Sequence, residues 1–153
     1  MTKIFMTAIV ILFVSSCSPE EQMNGGTVIR EVRTMLDEFE THIERDGLMA
    51  EFAFLDSSDD FFWVPPGFSS ALSYDSVRTI VSLNAQNTRS IGMSWDSLRI
   101  VPLSASLAAY TGVLSWSSAD TTGVESRAKL IETGVAVRRE GGWKLLCGQT
   151  RNL

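Results

Sequence analysis

The amino-acid sequence predicts an α+β domain, with helices grouped first and long antiparallel strands last. Three observations carry that expectation. Apolar residues recur at helical spacing over residues 27–46, long apolar runs bounded by turn residues follow from residue 91 onward, and residues 129–150 have the form of a closing hairpin. In that hairpin two apolar runs flank a charged, glycine-bearing turn. A three-residue loop of Glu140, Gly141 and Gly142 pairs Arg139 with Trp143, Val137 with Leu145, Val135 with Cys147 and Thr133 with Gln149. This register gathers the odd-numbered residues on a buried face and sends Glu132, Arg138 and Lys144 outward. A one-residue slip would exchange the two faces.

The helical stripe consists of Val28, Ile29, Val32, Met35, Leu36, Phe39 and Ile43, with Thr27 as N-cap and Asp46-Gly47 as the stop. His42, the only histidine, lies beside the stripe and reads as a solvated helix residue. Residues 48–55 predict a second, short helix. Residues 60–64 (DFFWV) predict an aromatic strand stopped by Pro65, Pro66 and Gly67, with residues 68–72 returning as its partner. Ser73 then caps a third helix over residues 74–87, with Val77, Ile80, Val81 and Asn84 inward. Strands are expected at residues 91–103, 107–117, 124–139 and 143–151, long enough that the meander must curl. Gly112, Gly134 and Gly148 are expected sites of bulges or bends.

The N-terminus has a different character. Lys3 precedes an apolar run of about eleven residues, well short of the roughly 20 that span a bilayer. The run ends in Val14-Ser15-Ser16-Cys17, which resembles the lipobox of bacterial lipoproteins. Residues 1–16 are therefore expected to be a lipoprotein signal peptide, with Cys17 lipidated, residues 17–26 a flexible tether and residues 27–153 the folded domain. Each buried acyl CH₂ contributes about 0.8 kcal/mol, so several chains make a durable membrane anchor. Ser18, rather than an aspartate, follows the cysteine, which implies a place in the bacterial cell envelope on the outer membrane, facing the periplasm. The formal net charge is −5, one unit more negative once Lys3 is removed, and no basic cluster suits nucleic acid. With Cys17 lipidated, Cys147 stands alone and reads as a buried, inert thiol.

Three local patterns carry a family resemblance. Asp60-Phe61-Phe62-Trp63 ahead of Pro66-Gly67, Leu103-Ser104 with Leu107-Ala108-Ala109-Tyr110-Thr111-Gly112, and Arg138-Arg139-Glu140-Gly141-Gly142-Trp143-Lys144-Leu145 resemble motifs of the NTF2-like superfamily, in particular its SnoaL-like and DUF4440 branch. The resemblance extends from Thr27 to Arg151. It implies a cone-shaped α+β fold: three N-terminal helices packed on a curled, mainly antiparallel sheet whose concave interior is a pocket. Some members are isomerases, dehydratases or cyclases, and many are non-catalytic binding or assembly modules. SnoaL-like chains commonly carry a histidine where Gln149 stands here, and Cys147 replaces another frequent histidine. A glutamine cannot take a proton near neutral pH, so Gln149 would orient a ligand rather than act as a base.

No histidine or cysteine cluster has metal-ligand spacing, no phosphate-cradling loop occurs, and no cofactor is expected. The catalytic candidates are Asp60, at the mouth of the expected cone, and Asp96, at a strand start; Glu132 is set aside because the chosen register turns it outward. Phe62, Trp63, Tyr74, Trp95, Tyr110 and Trp116 are aromatics suited to a pocket. The expected ligand-pocket residues are Phe62, Tyr74, Trp95, Thr133, Cys147 and Gln149, and a cavity beside Gln149 is the feature on which any pocket depends. The function expected is that of a membrane-anchored lipoprotein whose non-catalytic domain binds a small hydrophobic molecule or a protein partner, including a second copy through the open sheet. The alternative is a SnoaL-like isomerase or dehydratase acting on a small hydrophobic substrate.

Overall fold

The computed structural model describes residues 24–153, so the expected signal peptide and Cys17 lie outside the described residues. Helix α1 (Gly25–Asp46) begins two residues before Thr27, inside the expected tether, because Asn24 caps it: its side chain accepts the Thr27 amide hydrogen at 3.2 Å. Val28, Val32, Met35, Leu36, Phe39 and Ile43 are buried as the stripe requires, while Ile29 is exposed. The second helix is a tighter 3₁₀ segment, Leu48–Ala53, and Leu55 leaves it to bridge Leu145. Beyond it Asp56 is buried, accepting the Arg139 Nε–H at 2.7 Å and the Ser58 amide at 2.9 Å, which ties this turn to the end of the sheet.

Strand β1 (Phe62–Val64) lacks the full hairpin partner expected at residues 68–72, which is reduced to one bridge between Trp63 and Leu72. It pairs instead, in parallel, with the last strand. Helix α2 (Tyr74–Ala85) is capped by Ser73, whose hydroxyl accepts from the Ser76 amide at 3.4 Å; Val77 is buried, and Asn84 is exposed rather than inward. The meander follows as β2 (Thr88–Pro102), β3 (Leu107–Asp120), β4 (Glu125–Arg139) and β5 (Gly142–Asn152). The five strands lie in the order β1-β5-β4-β3-β2, antiparallel except for β1 on β5. Helix α1 packs across the concave face and also guards the free edge of β2. Glu44 and Glu40 accept the Met93 and Trp95 amide hydrogens at 2.9 and 2.8 Å, amides that would otherwise invite another strand.

The closing hairpin departs from the expected facing. Its loop holds two residues, Glu140 and Gly141: Arg139 pairs with Gly142, Arg138 with Trp143, Val137 with Lys144 and Ala136 with Leu145. Gly142 has φ 104°, a conformation that suits a glycine at a tight turn. Leu146 is then an extra residue on β5, a bulge, after which Val135 pairs with Cys147 and Thr133 with Gln149. Those last pairs match the expected register, yet they lie on the convex face. The concave face carries Ala136, Gly134 and Glu132 of β4, with Leu145, Gly148 and Thr150 of β5 opposite them. Ala108 and Ala136 are wholly buried beneath α1, so the even-numbered residues of β4 are the inward ones. The bulge lets Leu145 and Thr150, of opposite parity, share that face.

Candidate functional site

Three glycines on the concave face act as seats for aromatic rings: Gly112, where a Cβ would stand 2.7 Å from the Trp95 ring, and the two that set up the site. A Cβ at Gly134 would stand 2.9 Å from the Tyr110 ring, and one at Gly148 would stand 2.7 Å from the Trp63 ring. Close approach, rather than a bulge or bend, is what requires glycine at these positions. From these seats the polar tips converge on Glu132. The Tyr110 hydroxyl donates to Glu132 Oε1 at 2.8 Å, the Trp63 Nε1–H donates to Thr150 Oγ1 at 3.0 Å, and Thr150 is 2.9 Å from Glu132 Oε2. An indole N–H can only donate, so the Thr150 hydroxyl hydrogen goes on to Glu132. Each carboxyl oxygen is thus within hydrogen-bond reach of one hydroxyl, contacts that favour the ionised form.

Glu132 is only 9 % exposed. Burial pushes its pKa up, and the Tyr110 and Thr150 hydrogen bonds oppose that rise without cancelling it. Burial, followed by the neighbouring Glu132 charge, pushes Tyr110 well above the ordinary tyrosine range, so the phenol keeps its proton and remains a donor. Glu51, on the 3₁₀ segment, is pushed up to about 8 by burial and then by the Glu132 charge. At neutral pH Glu51 is mostly protonated.

Above this polar floor lies a cavity of about 340 Å³, walled by Phe39 and Ile43 of α1 and by Trp63, Leu114, Trp116 and Leu130. Its volume falls in the range of small-molecule sites, and its composition, apolar walls with few polar groups, is how such sites are built.

The expected pocket residues lie elsewhere. Phe62 is 47 % exposed. Tyr74 is half-buried against the edges of Phe52 and Phe61. Trp95 is on the concave face with its ring edge-on to Tyr110 at 6.2 Å, and its indole N–H has no partner among the described residues. Thr133 is exposed, sharing a 2.8 Å hydrogen bond with Thr111; Cys147 is half-buried, its thiol pKa raised by burial; and Gln149 is exposed. The cavity therefore lies beside Thr150, one residue from Gln149 and on the opposite face, because the bulge sets the phase of β5. Asp60 is exposed. Asp96 is paired with Lys129 at 2.9 Å and accepts from Ser115, contacts that hold its carboxyl below the usual range. Neither aspartate lines the cavity. His42 places Nδ1 2.7 Å from the Glu38 carbonyl oxygen, with its ring edge-on to Phe54.

Glu132 and Thr150 were missed because the hairpin was phased from its turn. A signal was present in the neighbouring strand: Tyr110, Gly112, Leu114 and Trp116 alternate with smaller or more polar residues, and they pair with Gly134, Glu132, Leu130 and Ala128.

No family model matches the chain, and no curated protein sequence is similar to it. Solved structures are. A proposed scytalone dehydratase from Novosphingobium aromaticivorans superimposes with a TM-score of 0.72 at 13% identity, over 83% of this chain and 85% of that one. A proposed dehydratase of the NTF2-like family from Streptomyces avermitilis gives 0.70 at 19% identity, over 84% and 98%. An NTF2-like superfamily protein from Salmonella enterica serovar Typhimurium gives 0.70 at 10% identity, over 83% and 92%. The chain has the NTF2-like fold. At these identities the likeness defines the fold alone.

Proposed function

We propose that the chain is a lipid-anchored protein of the bacterial cell envelope whose NTF2-like domain binds a small hydrophobic ligand in the concave cavity. The supporting observation is the cavity itself, about 340 Å³ with aromatic and aliphatic walls and a hydrogen-bonded carboxylate in its lining. The anchor rests on the apolar run ending at Cys17. Binding is preferred to turnover because Asp60 and Asp96, the expected acid–base groups, stand outside the cavity. The acid–base alternative has one observation in its favour: burial raises the Glu132 pKa, which would make Glu132, in place of either aspartate, the proton-transfer group.

The test is uptake of the neutral apolar dye phenylnaphthylamine by the full-length protein and by Ala128→Trp, which projects an indole into the cavity from its wall. Fluorescence enhancement in the wild type, lost in a variant that melts at a similar temperature, is the expected result. Equal uptake by both, or none by the wild type, would refute a ligand cavity.

A further inference from the structure

We propose that the natural occupant of the cavity is a cation, a small hydrophobic ammonium compound whose charged nitrogen binds at Glu132. The inference rests on the proposed ligand-binding function and specifies its chemistry. It starts from the direction of the hydrogen bonds. Trp63 donates to Thr150, which forces Thr150 to donate to Oε2, and Tyr110 donates to Oε1. The protein thus offers one donor to each Glu132 oxygen, bonds that favour the carboxylate and work against the burial that raises its pKa. Glu51, the second carboxyl of this interior, is held toward its protonated form by burial and by the Glu132 charge, so it supplies no countercharge.

Among the described residues no lysine, arginine or histidine pairs with Glu132. The ion pairs join Arg45 to Asp46, Arg127 to Glu125, Lys129 to Asp96, Arg138 to Glu31 and Arg139 to Asp56. Arg127 and Lys129, which border the larger hollow adjoining the cavity, are therefore already neutralised by other acids. Among the described residues no basic side chain lines the cavity itself. A buried carboxylate without a countercharge is costly, and a bound cation would remove that cost. Each Glu132 oxygen accepts one bond from the protein and has a second lone pair for a ligand N–H. The walls suit the same guest. Trp63, Trp116 and Phe39 line the cavity with aromatic rings, which can attract a cation and also cover an apolar body.

The experiment titrates the full-length protein by calorimetry with three probes sharing one apolar body: phenethylammonium, phenethyl alcohol and phenylpropanoate. The wild type is expected to bind the ammonium at least about tenfold more tightly than the alcohol, a difference of about 1.4 kcal/mol, and to reject the carboxylate. Glu132→Gln should erase the preference for the ammonium, bringing the ammonium-to-alcohol affinity ratio down to about one. Equal affinity for ammonium and alcohol in the wild type, or tighter binding of phenylpropanoate, would overturn the proposal while leaving a hydrophobic-ligand cavity standing. Failure of all three probes, together with failure of the dye, would remove the ligand-binding function itself. The wild-type comparison is decisive even if Glu132→Gln folds poorly.

Discussion

The concave face of the sheet has two halves that share strands but not chemistry. Toward the hairpin turn, Ala108, Ala136, Trp143 and Leu145 lie against α1 with Val32 and Leu36, and the space is filled. Toward the far ends of the same strands, Glu132 and Thr150 stand among Leu114, Trp116 and Leu130, and the space is a cavity. The bulge at Leu146 separates the halves along β5. One extra residue thus lets a single strand contribute Leu145 to a packed core and Thr150 to a polar floor. The filled half supplies stability and the open half gives up packing for a binding site.

Substitutions in the two halves should therefore separate stability from binding. Leu145→Ala, at a residue 2 % exposed in the filled half, is expected to cost about 2–5 kcal/mol in chemical denaturation and to leave dye affinity per folded molecule unchanged. A large loss of dye affinity without destabilisation would erase the distinction. Tyr110→Phe, in the open half, removes one donor from a buried carboxylate. It should cost about 1–3 kcal/mol and, unlike Leu145→Ala, also alter ligand affinity.

The same two halves should respond to pH with opposite signs. Glu51 titrates at about 8 in the folded chain against 4.5 ordinarily, so the folded state holds the extra proton, and its contribution to stability is lost as pH rises from about 4.5 through about 8. For Asp56, burial alone would raise the pKa, but hydrogen bonds from Ser58 and Arg139 outweigh it and hold the carboxyl below its ordinary value. Its contribution is present above the ordinary aspartate range and fades as pH falls. Glu51→Gln should flatten the decline between about pH 4.5 and 8 and leave the Asp56-linked loss at lower pH in place, as read from denaturation midpoints across pH. An unchanged decline over that range would show that Glu51 is not held protonated. The smallest effect is expected on the convex face, where Gln149→Ala should change stability by no more than about 0.5 kcal/mol and leave binding untouched.

Most of the fold was legible because it depends on periodicity and punctuation. The stripe from Val28 to Ile43, the Ser73 cap and the strand-rich second half each have a local signature that tertiary packing preserves. The site was less legible because it depends on phase. Val135–Cys147 and Thr133–Gln149 pair as the hairpin pattern suggested, yet which side of the sheet they occupy is decided by a two-residue turn and a compensating bulge. Neither leaves a mark in an apolar run such as Trp143 to Cys147, where Leu145 and Leu146 suit the core equally well. The aromatic seats were hidden for a related reason. A glycine that admits a ring from a neighbouring strand looks, in one dimension, like a glycine that bends its own.

The facing of β5 is the central claim, and thiol accessibility measures it directly. With Cys17 and Cys147 replaced by serine, Gln149→Cys and Thr150→Cys would each carry one thiol, to be challenged with a polar maleimide under native conditions. The structure predicts rapid labelling at position 149 and much slower labelling at position 150, which the reagent reaches only through the cavity. Protection at position 149 with free reaction at position 150 would contradict it, returning Glu132 to the outer face and dissolving the cavity floor.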